Sequence, residues 1–196
     1  MTVDRYEIRF SGSGGQGIIM AAIVLAEAAG VYDMKYVCQT QSYGPEARGG
    51  TSKAEVVISS KSIDYPKAIK PDLLLAMNQA STDAYVWDLK PDGLLVVDAT
   101  LVKQIPTSRV VAIPFTQIAR KKVGKDLVAN IVALGSIGHL CQLVSLKTLE
   151  EALMKKVPKG TEEINLKALR AGIRIAKKVS LDALPGTVVP EEEEEV

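Results

Sequence analysis

The chain has 196 residues, 47% of them hydrophobic and 5% aromatic, with 24 basic and 23 acidic residues for a formal charge of +1. That length suits one aliphatic, well-buried domain, and the charge balance excludes the strongly basic surface that nucleic-acid partners usually require. The two cysteines, Cys38 and Cys141, form no C-x-x-C pair. The chain alone therefore offers no zinc or cluster ligand set, and buried free thiols in a reducing cytoplasm are expected.

The chain enters a strand almost at once, over residues 6–10, with no leader before it. Next comes Ser11-Gly12-Ser13-Gly14-Gly15-Gln16-Gly17, which leads into an apolar helix expected over residues 18–29. Gly12, Gly14 and Gly17 fit the G-x-G-x-x-G spacing. Strand, glycine turn and helix in that order mark an anion-binding corner, because a helix start presents unpaired amides and a partial positive charge. The competing reading is that the glycines only permit tight strand–helix packing. A second strand, residues 35–41, ends without the acidic residue that a nicotinamide site places about 20 residues on to hold a ribose hydroxyl. A dinucleotide site is thereby disfavoured.

The loop 43–50 is dense in recognition chemistry. Arg48 offers a planar fork for phosphate or carboxylate, Tyr43 offers a stacking face, and Gly49 permits tight backbone geometry. An ordinary surface pair of Glu46 with Arg48 is the alternative. In a doubly wound sheet the loops after successive strands gather at the carboxyl ends, so residues 11–17 and 42–51 should share one crevice.

Residues 52–59 alternate apolar Ala54, Val56 and Ile58 with polar Lys53 and Glu55. That period of two predicts a half-exposed strand, at an edge or antiparallel. Buried strands are expected at 72–77, 94–97 and 109–113, with Asn78 opening a helix over 79–89. Strands alternating with helices imply a mostly parallel sheet. From residue 116 the chain turns helical. The segment 126–144 is too interrupted by Asn130, Ser136, His139 and Gln142 to span a membrane; it reads as a core helix or one facing another subunit, with Gly135 and Gly138 allowing close approach. His139, the single histidine, reads as a helix residue rather than a catalytic base. Helices at 147–157 and 162–179 are amphipathic, and the five glutamates 191–195 should be disordered.

Three segments together carry a family resemblance: Gly14-Gly15-Gln16-Gly17, then Thr40-Gln-Ser-Tyr-Gly-Pro-Glu-Ala-Arg-Gly-Gly50, then Asp72-Leu-Leu-Leu-Ala-Met-Asn78. In order and spacing the chain resembles the gamma subunit of 2-oxoacid:ferredoxin oxidoreductases, and its second loop looks more like the 2-oxoglutarate than the pyruvate branch. The resemblance implies oxidative decarboxylation of a 2-oxoacid with acyl transfer to coenzyme A. Thiamine diphosphate and iron–sulfur clusters would then lie on alpha, beta and cluster-bearing delta-type partners, with ferredoxin as electron acceptor.

The expectations are therefore an α/β domain over residues 1–185, with a mostly parallel Rossmann-like sheet, helices on both faces, an antiparallel or edge strand and C-terminal helices. An acidic tail follows over 186–196. The chain would hold no cofactor alone, no metal and no catalytic residue, and would touch no nucleic acid or membrane. It would lend Gly12, Ser13, Gly14, Gly15, Gln16, Gly17, Tyr43, Arg48, Gly49 and Asn78 to a shared coenzyme A site. The rival readings are a stand-alone nucleotide-binding module and a structural scaffold.

Overall fold

The computed structural model describes residues 4–42 and 51–186. One sheet of six strands organises them, in the order β2-β3-β1-β4-β5-β6. The strands are β1 (Tyr6–Ser13), β2 (Tyr36–Ser42), β3 (Thr51–Ser59), β4 (Leu73–Ala76), β5 (Leu94–Asp98) and β6 (Val110–Ile113). The run β1-β4-β5-β6 is parallel, while β3 is antiparallel to both β1 and β2. β4 and β5 are buried throughout and apolar except for Asp98 at the end of β5, as parallel strands covered on both faces must be.

β3 corrects the sequence expectation in part. It is antiparallel, but it lies inside the sheet and is buried over most of its length, leaving β2 as the exposed edge. The reason is on the polar side of its alternation. Glu55 faces Arg9 of β1, whose Nε donates to Glu55 Oε1 at 2.9 Å and whose Nη2 donates to the Ala68 carbonyl at 2.9 Å. A second carboxylate, Asp88, pairs with Nη1, and the guanidinium lies 5.3 Å from the Tyr85 ring centre. Arg9 is only 3% exposed. A buried ion pair thus produces the same alternating pattern that solvent would.

The helices are α1 (Ile18–Glu27), α2 (Gln79–Tyr85), α3 (Phe115–Ile118), α4 (Ala129–Leu140), α5 (Leu146–Lys156) and α6 (Glu162–Ala176). α1, α4, α5 and α6 cover the face formed by Ile8, Phe10, Val56, Leu75 and Val96 in one large aliphatic core. The opposite face carries a smaller cluster, with Leu74, Ala76, Leu95 and Val97 against Val86 and Val102. β5 and β6 are joined by residues 99–109, which contain no helix.

α4 is a core helix with every residue but His139 buried. Its close neighbour is α6. A Cβ on Gly172 would stand 1.9 Å from the Val132 carbonyl oxygen, and one on Gly135 would stand 2.1 Å from that of Leu169. The close approach expected at Gly135 is therefore within the chain; Gly138 meets the side chain of Leu149 instead. The long helix expected over 126–144 is shorter, a 3-10 turn at Asp126–Val128 followed by α4. Cys141 is buried, but Cys38, on the edge strand, is only half-buried, so the expectation of two buried thiols holds for one. The acidic run 191–195 lies outside the described residues.

Candidate functional site

β1, a glycine turn and α1 form the corner that the sequence predicts. α1 has Gly17 as its N-cap at φ 71°, ψ 19°, and no acidic residue in its first turn to neutralise the positive end of the helix. Gly15 is also left-handed, at φ 85°, a conformation that L side chains seldom adopt.

The glycines divide between packing and access. Gly12 is still part of β1, and a Cβ there would meet Gln16 Oε1 at 2.6 Å and Met77 Cβ at 3.3 Å. A Cβ on Gly17 would stand 2.4 Å from Asn130 Nδ2. At these two positions close packing calls for glycine. At Gly14 and Gly15 an added Cβ would meet nothing within 4 Å among the described residues. Gly14 also has no positive φ to require glycine. Open space at a helix start is where a backbone can approach a ligand closely.

Gln16 and Asn78 hold this turn in place. The Ser13 N–H donates to Gln16 Oε1 at 2.7 Å, and the Gln16 N–H donates to the Ser13 carbonyl at 3.2 Å. Asn78 Nδ2 donates to Ser13 Oγ at 2.7 Å and to Gln16 Oε1 at 3.3 Å. Its Oδ1 caps α2 by accepting from the Ser81 N–H at 2.8 Å. Gln16 and Asn78 are consumed as pegs, whereas the amides of Gly14 and Gly15 make no hydrogen bond among the described residues.

Tyr43, Arg48 and Gly49 lie outside the described residues. The roots of their loop are fixed, however. Thr51 is the ladder partner of Ser13, and Ser42 is the partner of Lys53. Opposed residues in an antiparallel ladder have Cα atoms about 5 Å apart, so Thr51 lies directly beside the start of the glycine turn. Thr51 Oγ1 also lies 3.2 Å from the Tyr85 hydroxyl, which the Arg9 cluster supports from below.

A cavity of about 210 Å³ opens beside the turn, lined by Gly15, Gln16, Met77, Leu101, Thr116, Asp126, Leu127 and Ala129. Leu127 is 84% exposed at its rim. Asp98, fully buried at the end of β5, accepts from the Thr116 N–H at 3.0 Å, from Thr116 Oγ1 at 2.5 Å and from the Thr100 N–H at 2.9 Å. It thereby fixes the wall that carries Thr116. Arg120 forks onto Asp126 at 2.6 and 3.0 Å, and that guanidinium holds the Asp126 carboxyl below its usual range. Met77 entered the sequence reasoning only as part of the segment 72–78, and neither Thr116 nor Leu127 was marked, since no local motif distinguishes them from ordinary loop residues.

Cys141 is unsuited to nucleophilic work: burial pushes its thiol up to about 11, which keeps it protonated at neutral pH. Among the described residues there is no cluster of histidine, cysteine or carboxylate groups able to hold a metal. No described helix is long and apolar enough to cross a membrane.

The family model for pyruvate ferredoxin/flavodoxin oxidoreductase matches residues 7–175. The chain is 50% identical over 179 residues to 2-oxoglutarate synthase subunit KorC of Methanocaldococcus jannaschii, covering 89% of this chain and 96% of that one. Among solved structures it is similar to the gamma subunit of a keto/oxoacid ferredoxin oxidoreductase from Geobacter sulfurreducens, with a TM-score of 0.83 and 44% identity over 90% of this chain and 98% of that one. It is also similar to the 2-oxoglutarate:ferredoxin oxidoreductase of Magnetococcus marinus, solved with 2-oxoglutarate, coenzyme A and succinyl-CoA bound. There the TM-score is 0.80 and the identity 26%, over 95% of this chain but 33% of the longer one.

Proposed function

The chain belongs to the pyruvate ferredoxin/flavodoxin oxidoreductase family, as a gamma-type subunit, and we propose that it forms the coenzyme A side of a 2-oxoglutarate:ferredoxin oxidoreductase active site. The observation that carries this reading is the open backbone at Gly14 and Gly15, set at an uncompensated helix start beside the roots of the 43–50 loop. Coenzyme A presents phosphates that such amides suit, and Arg48 would add a charged fork from the neighbouring loop. The chain binds and orients the acyl acceptor. Thiamine diphosphate on a partner would supply the decarboxylation chemistry, and cluster-bearing partners would carry electrons to ferredoxin.

The test is 2-oxoglutarate-dependent viologen reduction by the assembled complex. Omitting this chain should abolish coenzyme A-dependent turnover. Gly14→Leu should raise the KM for coenzyme A by about tenfold or more, since it places a side chain where the backbone must approach phosphate. Arg48→Ala should do the same by removing the charged partner. Unchanged KM in both variants would reject the assignment, and a thermal shift with NAD or ATP but none with coenzyme A would favour a stand-alone nucleotide-binding module.

A further inference from the structure

Asn130, in the first turn of α4, is 113 residues from Gly17 along the chain, yet its Nδ2 donates to the Gly17 carbonyl at 3.0 Å. The same carbonyl accepts the first bond of α1, from the Ala21 N–H at 3.2 Å. One side-chain amide therefore grips the atom at which turn becomes helix, and it fills the space that any side chain at position 17 would need.

The other half of the amide makes no hydrogen bond among the described residues. Asn130 is 5% exposed, and its Oδ1 is buried with no hydrogen-bond partner among the described residues. A buried acceptor without a donor is disfavoured, and a group left in that state calls for a reason other than stability. An apolar residue of equal size would serve the core of α4 better. What asparagine supplies there is the hold on Gly17.

We infer that Asn130 is a positioning residue of the anion site. It clamps the carboxyl end of the glycine turn as Asn78 clamps the amino end, so that the amides of Gly14 and Gly15 stay aimed outward before a ligand arrives. The inference rests on the reading of this turn as the coenzyme A site. Its energetic logic is preorganisation: a turn held in its bound form avoids the ordering cost at the moment of binding.

The experiment uses the full chain in the assembled complex with Asn130→Leu, and with Asn130→Val as a second apolar variant that removes the donor without adding a charge. Amide exchange at residues 14–18 should speed up by about tenfold while the thermal midpoint does not fall, because local opening is decoupled from global unfolding. The KM for coenzyme A should rise about tenfold with kcat near wild type. A midpoint that falls in parallel with both readouts would reduce Asn130 to a structural residue and overturn the inference. Unchanged exchange and KM, with Gly14→Leu still defective, would overturn the clamp while sparing the coenzyme A assignment. Faster exchange with KM unchanged in both the Asn130 and Gly14 variants would uphold the clamp and overturn the assignment instead.

Discussion

Gly172→Ala should destabilise the protein even though alanine is the better helix former. Gly172 lies in the interior of α6, where replacing glycine gains about 1 kcal/mol of helix propensity. Against that gain stands the contact with α4: the new Cβ would be 1.9 Å from the Val132 carbonyl oxygen, which is backbone and cannot rotate away. Carbon and oxygen settle no closer than about 3.3 Å, so the helices must part by roughly 1.4 Å at this point. A gap of that size forfeits about half or more of the dispersion well for each neighbouring pair. It also loosens the bond from Ser136 Oγ to the Gly172 carbonyl, now 3.0 Å. Overpacking of this kind costs about 3 kcal/mol, and about 2 kcal/mol of destabilisation remains after the propensity gain. For a chain of this length the midpoint should drop by roughly 4–8 °C. Urea unfolding of wild type, Gly172→Ala and Gly135→Ala would measure it, with Gly14→Ala as the control whose added methyl meets nothing described within 4 Å. Equal or greater stability in Gly172→Ala would refute the backbone contact on which the core of α4 is argued.

Arg9→Met should cost about 3 kcal/mol, the low end for breaking a buried pair, because the buried Glu55 carboxylate keeps only the half-buried Lys53 ammonium, 3.4 Å away; pairing it with Glu55→Met should recover most of the loss, as read by the urea midpoint. Cys141 sets an alkaline limit. Its thiol titrates near 9 when exposed and near 11 when buried in the fold. The folded value is the raised one, so the contribution is complete below pH 9 and is lost as pH climbs toward 11. Cys141 should contribute about 2–3 kcal/mol to the fall in unfolding free energy across that window, a contribution absent from Cys141→Ala. In the isolated native chain at pH 8, iodoacetamide should leave Cys141 unmodified until denaturant is added.

Much of the architecture was legible because local signals and tertiary environment agree. The glycine turn, the apolar runs that became β4 and β5, and the asparagine that caps α2 each declared themselves within a few residues. β3 is antiparallel as expected, but it is buried rather than half-exposed, for a physical reason. Lys53 and Glu55 look like a solvent-facing row, but Glu55 answers Arg9 across the ladder, and a buried pair leaves the same alternating trace as water. α4 was drawn too long because the apolar stretch around it mixes helix, 3-10 turn and packed loop, and periodicity cannot separate these. In the site, Gly14 and Gly15 could be read from spacing, whereas Asn130 could not: its role comes from a contact 113 residues away. Gln16 and Asn78 were expected at the site, and their hydrogen bonds show them bracing the turn.

The eight consecutive rungs between β1 and β3 make the register of that pair unusually consequential. A slip by a single residue would turn each side chain of the moving strand to the opposite surface of the sheet. Were β1 to slip, Arg9 would be driven among the aliphatic groups under α1, and Ile8 and Phe10 would be left facing Glu55. The same slip would move Ser13 off Thr51 and carry the glycine turn away from the neighbouring loop. Insertions or deletions within either strand should therefore be lethal to folding and ligand geometry together, while changes of length should be tolerated only in the connections outside the ladder.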